Sequence, residues 1–261
     1  AVWQRALIMA AGAFMNFLLG FVVMVVLIAA QSEPITSRVI YAIDDGALCG
    51  QTGLEAGDKV LAVNGRRCFV ANDMLYELMR TEDYSARFTV LRGGEKVELP
   101  CVRFDTWQDD SGETHMSLGF TVYGIRKTPA NVVKEAWNSV LYYGRIIFTS
   151  LMDLLRGRES INDLSGPVGI VTAIGQAASY GWQDLLQLLV LITVNLGIFN
   201  LLPFPALDGG KVVFLAIEGI TGHAVPEKLQ GSLTVAAFAL LFGLMIFATY
   251  NDIIRLITGA V

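Results

Sequence analysis

A carboxylate at the end of an uncharged apolar run constrains this chain more than any other feature. No Asp, Glu, Lys or Arg interrupts residues 185–207, and Asp208 follows at once. In such a run an acid is costly, and it marks a functional site by default. The stretch around it, Asn200-Leu201-Leu202-Pro203-Phe204-Pro205-Ala206-Leu207-Asp208-Gly209-Gly210, predicts a broken helix. The two prolines interrupt the helix, and the two glycines allow close backbone approach. Irregular backbone at membrane depth is tolerated only where it is buried in protein or lines a polar cavity. Asp208 must therefore face a cation, a proton path or a partner chain.

Two further runs have the same character. Residues 6–30 carry no charge. At ~1.5 Å per residue they exceed a hydrocarbon core of roughly 30 Å and can span it with some tilt. Residues 185–202 and 233–250 give a second and a third span, with Trp3, Arg5, Trp182, Asp184, Asn251, Asp252 and Arg255 near their ends. Charged residues make up 16% of the chain, against about 25% in a soluble protein. The formal charge of −5 and the lack of a basic cluster argue against nucleic acid as a partner. Lysines and arginines are spread too evenly for the positive-inside rule to give an orientation.

On the first span, Gly12 and Asn16 share a helix face. A small residue there permits close helix contact, and an amide can bond across it. Plain helix packing explains the pair as well as a site does.

The middle of the chain changes pattern. Residues 39–43 read as a strand, and Gly53-Leu54-Glu55-Ala56-Gly57-Asp58 reads as a turn. An alternating strand follows and closes at Asn64-Gly65. Residues 72–80 have helical spacing, and residues 87–91 and 96–102 form a hairpin across Gly93-Gly94. Over residues 38–104 this order resembles a PDZ domain, a partly open β-barrel with helices. Such domains bind extended peptides beside a strand, although one can fold without binding any.

Residues 105–128 read as a linker with short strands, with a turn at residues 109–112. The acidic stretch there lacks the spacing of a calcium loop, so no metal is expected in it. Cys49, Cys68 and Cys101 match no zinc motif and read as small buried side chains. Residues 129–157 predict an amphipathic helix with Val133, Trp137, Val140, Leu141, Gly144, Ile147, Phe148, Leu151 and Leu155 on its apolar side. It carries too many charges to cross lipid alone, so it is placed on the membrane surface or against the core. The last region, residues 164–256, opens with Leu164-Ser165-Gly166-Pro167-Val168-Gly169-Ile170, read as a turn into a short apolar helix. An amphipathic stretch is expected at residues 212–220.

The motif Asn-x-x-Pro-x-x-x-Leu-Asp-Gly at Asn200, Pro203 and Asp208 resembles the second metal motif of the site-2 protease family, the zinc intramembrane proteases. The string from Leu164 and the PDZ-like region are most similar to the bacterial regulator-of-sigma-E branch. The resemblance implies a polytopic α-helical protein of the bacterial inner membrane with an inserted extracytoplasmic PDZ domain. It implies that Asp208 is the third protein ligand of a catalytic Zn2+. It also implies that Asn200 and Pro203 line the substrate cleft, and that Gly12, Asn16, Gly209 and Gly210 are structural motif positions. Substrates would be membrane-spanning proteins such as trimmed anti-sigma factors or remnant signal peptides. Where that family often has proline after the first glycine, this chain has Ala13.

A zinc protease also needs His-Glu-x-x-His, with two ligands and a general-base glutamate on one helix. The chain has only His115 and His223, both read as loop residues, and no such motif. The motif is expected upstream, so no catalytic base is assigned here, and the 261 residues alone are expected to be inactive. The competing readings are a proteolytically inactive membrane PDZ scaffold and a transporter that uses Asp208 as a proton path.

Overall fold

The computed structural model describes residues 2–81, 83–109, 112–158 and 165–258. The chain forms two compact units. One is Ile28–Tyr142, and the other joins Ala1–Leu27 to Tyr143–Val261.

The first unit is built on an antiparallel sheet. Its strands are β1 (Ile35–Ile43), β2 (Lys59–Val63), β3 (Arg66–Arg67), β4 (Ser85–Arg92), β5 (Glu95–Arg103) and β8 (Phe120–Ile125). They lie in the order β5-β4-β2-β1-β8, with β3 on β2. A short helix α2 (Leu48–Gln51), which the sequence pattern does not predict, and α3 (Ala71–Met79) complete it. Ile40, Leu54, Val60, Val63, Leu78, Phe88, Val90 and Val102 make the core. The two predicted hairpin turns are present. Asn64 and Gly65 both have positive φ, as do Gly93 and Gly94, which matches the twist of the flanking strands.

Arg92 is the main polar tie of this unit. Its Nε bonds Asp58 Oδ1 at 2.7 Å and its Nη2 bonds Asp58 Oδ2 at 2.7 Å. Nη2 also donates to the Gly53 carbonyl at 2.7 Å, and Nη1 meets Glu55 at 2.6 Å. Asp58 is fully buried, so the arginine holds the turn at residues 53–58 onto the end of β4.

Some expectations are corrected. Cys49 and Cys68 are buried, but Cys101 is exposed. Between the pairs Phe88↔Leu99 and Ala86↔Val102, Pro100 and Cys101 together oppose Arg87. That bulge accommodates the proline and turns both residues outward. In the 105–128 stretch β6 (Asp105–Gln108) and β7 (Thr114–Ser117) pair as a hairpin. His115 therefore lies on a strand and not in a loop. Strand β8, from Phe120 to Ile125, closes that stretch. Residues 110 and 111 of the expected turn are outside the described residues.

Helix α4 (Pro129–Leu155) is amphipathic as predicted, and its buried stripe shares Val140 and Ile147 with the predicted one. It buries Val132, Ala136, Val140, Tyr143 and Ile147, at steps of four, four, three and four. Val133, Trp137, Leu141, Phe148 and Leu155 are exposed instead. The apolar side is thus wider than the buried stripe.

The second unit is helical. It contains α1 (Val2–Ala30), α5 (Pro167–Tyr180), α6 (Trp182–Leu201), α7 (Asp208–Thr221) and α8 (Glu227–Thr258). Three helices are long and apolar enough to cross a membrane, at Trp3–Ala30, Trp182–Leu201 and Glu227–Thr258. The last is longer at both ends than residues 233–250, because helix continues through its charged ends. On α8, Val235, Leu240, Phe242 and Ile246 are exposed, as expected where lipid is the solvent. Helices α1 and α6 pack closely. A Cβ on Gly20 would lie 3.1 Å from Thr193 Oγ1, and one on Gly197 would lie 3.0 Å from the Phe17 ring. Leu164, the first residue of the Leu-Ser-Gly-Pro-Val-Gly-Ile string, lies outside the described residues.

Candidate functional site

The break after α6 folds as a tight return. Leu202 is extended, and its N–H bonds the Phe199 carbonyl at 3.0 Å. The Phe204 N–H donates to Leu202 at 2.7 Å, and the Leu207 N–H donates to Phe204 at 2.9 Å. Neither proline has a donor to leave unpaired. Asp208 then opens α7, where a carboxylate suits the positive end of the helix. The amphipathic stretch expected from residue 212 therefore starts at Asp208.

Gly209 and Gly210 make this return possible. A Cβ on Gly209 would stand 2.2 Å from the Leu202 carbonyl oxygen, and one on Gly210 would stand 2.2 Å from that of Phe204. Both contacts are with backbone, which cannot swing aside. The first turn of α7 thus rests directly on the return, and both glycines are buried.

Asp208 is partly exposed, with 38% of its side chain accessible. Lys211, one turn later, places Nζ 3.4 Å from Oδ1. On the other side is α1: a Cβ on Gly12 would lie 3.7 Å from Asp208 Oδ2. Asn16 and Gly20 follow at i+4 and i+8 from Gly12, on the same face by spacing. The structure therefore brings Gly12 and Asp208 together across two helices. Asn200 is half-buried in the last turn of α6 and Pro203 is exposed. Two residues of this region carry no sequence signal of their role. Lys211 reaches the carboxylate only because α7 starts at Asp208. Thr234 of α8 donates Oγ1 to the Pro205 carbonyl at 3.2 Å.

One carboxylate can serve as one ligand of a metal. A catalytic zinc takes three protein ligands, so the residues present fit one corner of such a site and do not complete it. Among the described residues, the one group of three or more candidate ligands is elsewhere, at Asp109, Glu113 and His115. There Asp109 Oδ1 accepts the Glu113 N–H at 2.9 Å and Oδ2 pairs with His115 Nε2 at 2.9 Å. These contacts tie the strands on either side of the β6–β7 turn. His223 is exposed in the loop between α7 and α8, as expected, with Nδ1 2.9 Å from the Thr221 carbonyl.

Three membrane-type helices, an antiparallel sheet unit and a carboxylate at a glycine-backed helix break define a multi-pass membrane protein with a polar site beside its spans. The pattern of peptidase family M50 matches residues 1–244. The chain belongs to that family. It is 34% identical over 251 residues to the zinc metalloprotease RasP of Geobacillus kaustophilus, covering 96% of this chain and 59% of that protein. It is 31% identical over 255 residues to the regulator of sigma-W protease RasP of Bacillus subtilis, covering 98% of this chain and 60% of that protein. The zinc metalloprotease RasP of Shouchella clausii is 32% identical over 262 residues, again with 60% of the relative covered. The chain thus spans about 60% of the length of these relatives.

Proposed function

We propose that these residues are the larger part of an intramembrane zinc endopeptidase, with Asp208 as the third protein ligand of its metal. The observation that carries this reading is the Asp208 carboxylate at the start of α7, beside Gly12 of α1, in a chain of peptidase family M50. The His-Glu-x-x-His ligands and the base glutamate would come from sequence beyond these 261 residues. Zinc, when bound, supplies Lewis-acid activation of water for peptide hydrolysis.

The chain's own residues would position the substrate. A membrane-spanning helix must unwind before its peptide bonds are accessible. The Asn200 amide can both donate to and accept from an opened backbone, and Pro203 presents a surface with no competing N–H. The sheet unit would act as an extracytoplasmic PDZ domain that binds or sorts substrate termini. Strand β1 pairs with β8 from Ile35 to Ile43, while on its other edge the backbone pairing is Val39↔Lys59 with β2 and Ile40 with the turn at Gly57 and Asp58. Its first half also lines a cavity of about 140 Å³ with Phe69, Val70 and Glu135. An open strand edge beside a cavity suits added peptide. The exposed apolar residues of α4 suit contact with the bilayer surface. The membrane would be the bacterial plasma membrane, with spanning proteins such as anti-sigma factors or remnant signal peptides as substrates.

The test uses the complete protein in lipid vesicles, with zinc content and cleavage of a spanning substrate measured together. Asp208→Asn is expected to lose both while inserting normally. Full zinc and wild-type cleavage in that variant would remove Asp208 from the metal site.

A further inference from the structure

The Ser165–Gly169 string and the buried carboxylate of α8 explain one another. Asp252 is only 4% exposed, although it sits on a membrane-type helix. An acid in such a place needs a named partner. The partner here is backbone: the Gly169 N–H donates to Asp252 Oδ2 at 2.7 Å. Gly169 lies in the first turn of α5, where N–H groups have no partner within the helix. Gly166 is the N-cap residue and Pro167 opens the helix, yet no side chain of the cap itself bonds that turn. Asp252 does so from another helix, at the positive end of the α5 dipole.

The two glycines let α8 come this close. A Cβ on Gly166 would lie 2.7 Å from the Thr249 nitrogen and 2.9 Å from Asp252 Oδ2. One on Gly169 would lie 2.9 Å from Asp252 Oδ1. The spacing glycine-x-x-glycine therefore reads as a seat for α8. The same helix makes a further polar contact through Thr234, which holds the Pro205 carbonyl just before Asp208. Thr234 and Asp252 are about 27 Å apart along the helix axis at ~1.5 Å per residue. Helix α5 also packs on α6, whose last turn carries Asn200.

We propose that Asp252 is a positioning residue that caps α5 from α8, making α8 a strut between the start of α5 and the return before Asp208. Its role in turnover rests on the proteolytic reading above, but the joint itself does not. The complete protein in lipid nanodiscs provides the test, through amide hydrogen exchange of peptides covering residues 165–172 and, separately, substrate cleavage. Asp252→Ala is expected to speed exchange there at least tenfold. It should lower turnover by roughly tenfold with KM unchanged. Asp252→Asn keeps an acceptor oxygen and should restore both to within about threefold of wild type. If Asp252→Ala does not accumulate, Gly169→Ala serves instead, because its Cβ crowds the carboxylate and should speed exchange in the same peptides. Unchanged exchange in the variant measured, or Asp252→Asn as disturbed as Asp252→Ala, would overturn the cap. Faster exchange with wild-type turnover would confine Asp252 to stability and overturn its positioning role. If the wild-type complete protein cleaved no spanning substrate, the proteolytic reading would fail while the exchange result still decided the joint.

Discussion

Gly12 of α1 faces the carboxylate of Asp208, and a Cβ added there would stand 3.7 Å from Oδ2. That is ordinary van der Waals contact, so alanine fits and a longer side chain does not. Gly12→Ala in the complete protein should keep zinc and cleavage within about twofold of wild type. Gly12→Leu would push its branch against the carboxylate and should abolish zinc retention and cleavage together. Zinc analysis of purified protein beside a cleavage assay checks both, and a fully active leucine variant would show that nothing binds on this side of Asp208.

The glycines after Asp208 predict a harsher result. A Cβ at either position would meet a carbonyl oxygen at 2.2 Å, so the return at residues 202–205 would have to open. Overpacking of this kind costs roughly 1–3 kcal/mol, occasionally more. Gly209→Ala and Gly210→Ala should each lower the thermal midpoint in detergent by several degrees and reduce the amount in the membrane. Wild-type stability of both variants would mean that the return is looser than the close contacts require.

How much of this was legible beforehand follows from the range of each interaction. The spans, the Asn64-Gly65 and Gly93-Gly94 turns and the break before Asp208 are local. Chain neighbours decide them, and the residues alone announced them. The seat of α8 at Gly166 and Gly169 is not local. The glycine before Pro167 marks a turn, but nothing near it names Asp252 as the partner. The same holds for Asp58, whose arginine lies on β4. On α4 the apolar positions are plain from spacing, but which of them face protein depends on what packs there: Val140 and Ile147 do, while Trp137 and Leu141 give way to Val132 and Ala136. The outward turn of Cys101 depends on a bulge that only pairing with β4 creates.

Arg92 yields the third prediction. It makes two bonds of 2.7 Å to the carboxylate of the fully buried Asp58. Its guanidinium is held more firmly protonated than usual, first by the hydrogen bond to that carboxylate. Removing the cation would strand the buried charge, a loss of roughly 3–5 kcal/mol in comparable cases. Arg92→Ala should therefore unfold the sheet unit at markedly lower denaturant than wild type. Arg92→Lys keeps the charge but loses the two-pronged geometry, and should fall between the two. Tryptophan fluorescence from Trp107, on β6 of the same unit, can follow the transition. An alanine variant as stable as wild type would show that Asp58 finds another partner.

Glu135 sets the pH dependence of the cavity beside β1. Burial raises its carboxyl from 4.5 to about 6, with Asp73 adding to the rise and Arg38 and Lys134 opposing it. The folded state thus holds this proton more tightly than the unfolded chain does. Its contribution to stability is present in full below pH 4.5 and is lost as pH rises through about 6. Because the side chain is only partly buried, the change is about 1 kcal/mol after allowance for solvent screening. The wild-type unfolding midpoint should fall by a few degrees between these limits, relative to Glu135→Gln, which carries no titrating group there. The comparison isolates Glu135 from the other carboxylates, which titrate alike in both proteins. A constant difference between the two proteins from pH 4 to 7 would mean that Glu135 meets water as freely in the folded chain as in the unfolded one.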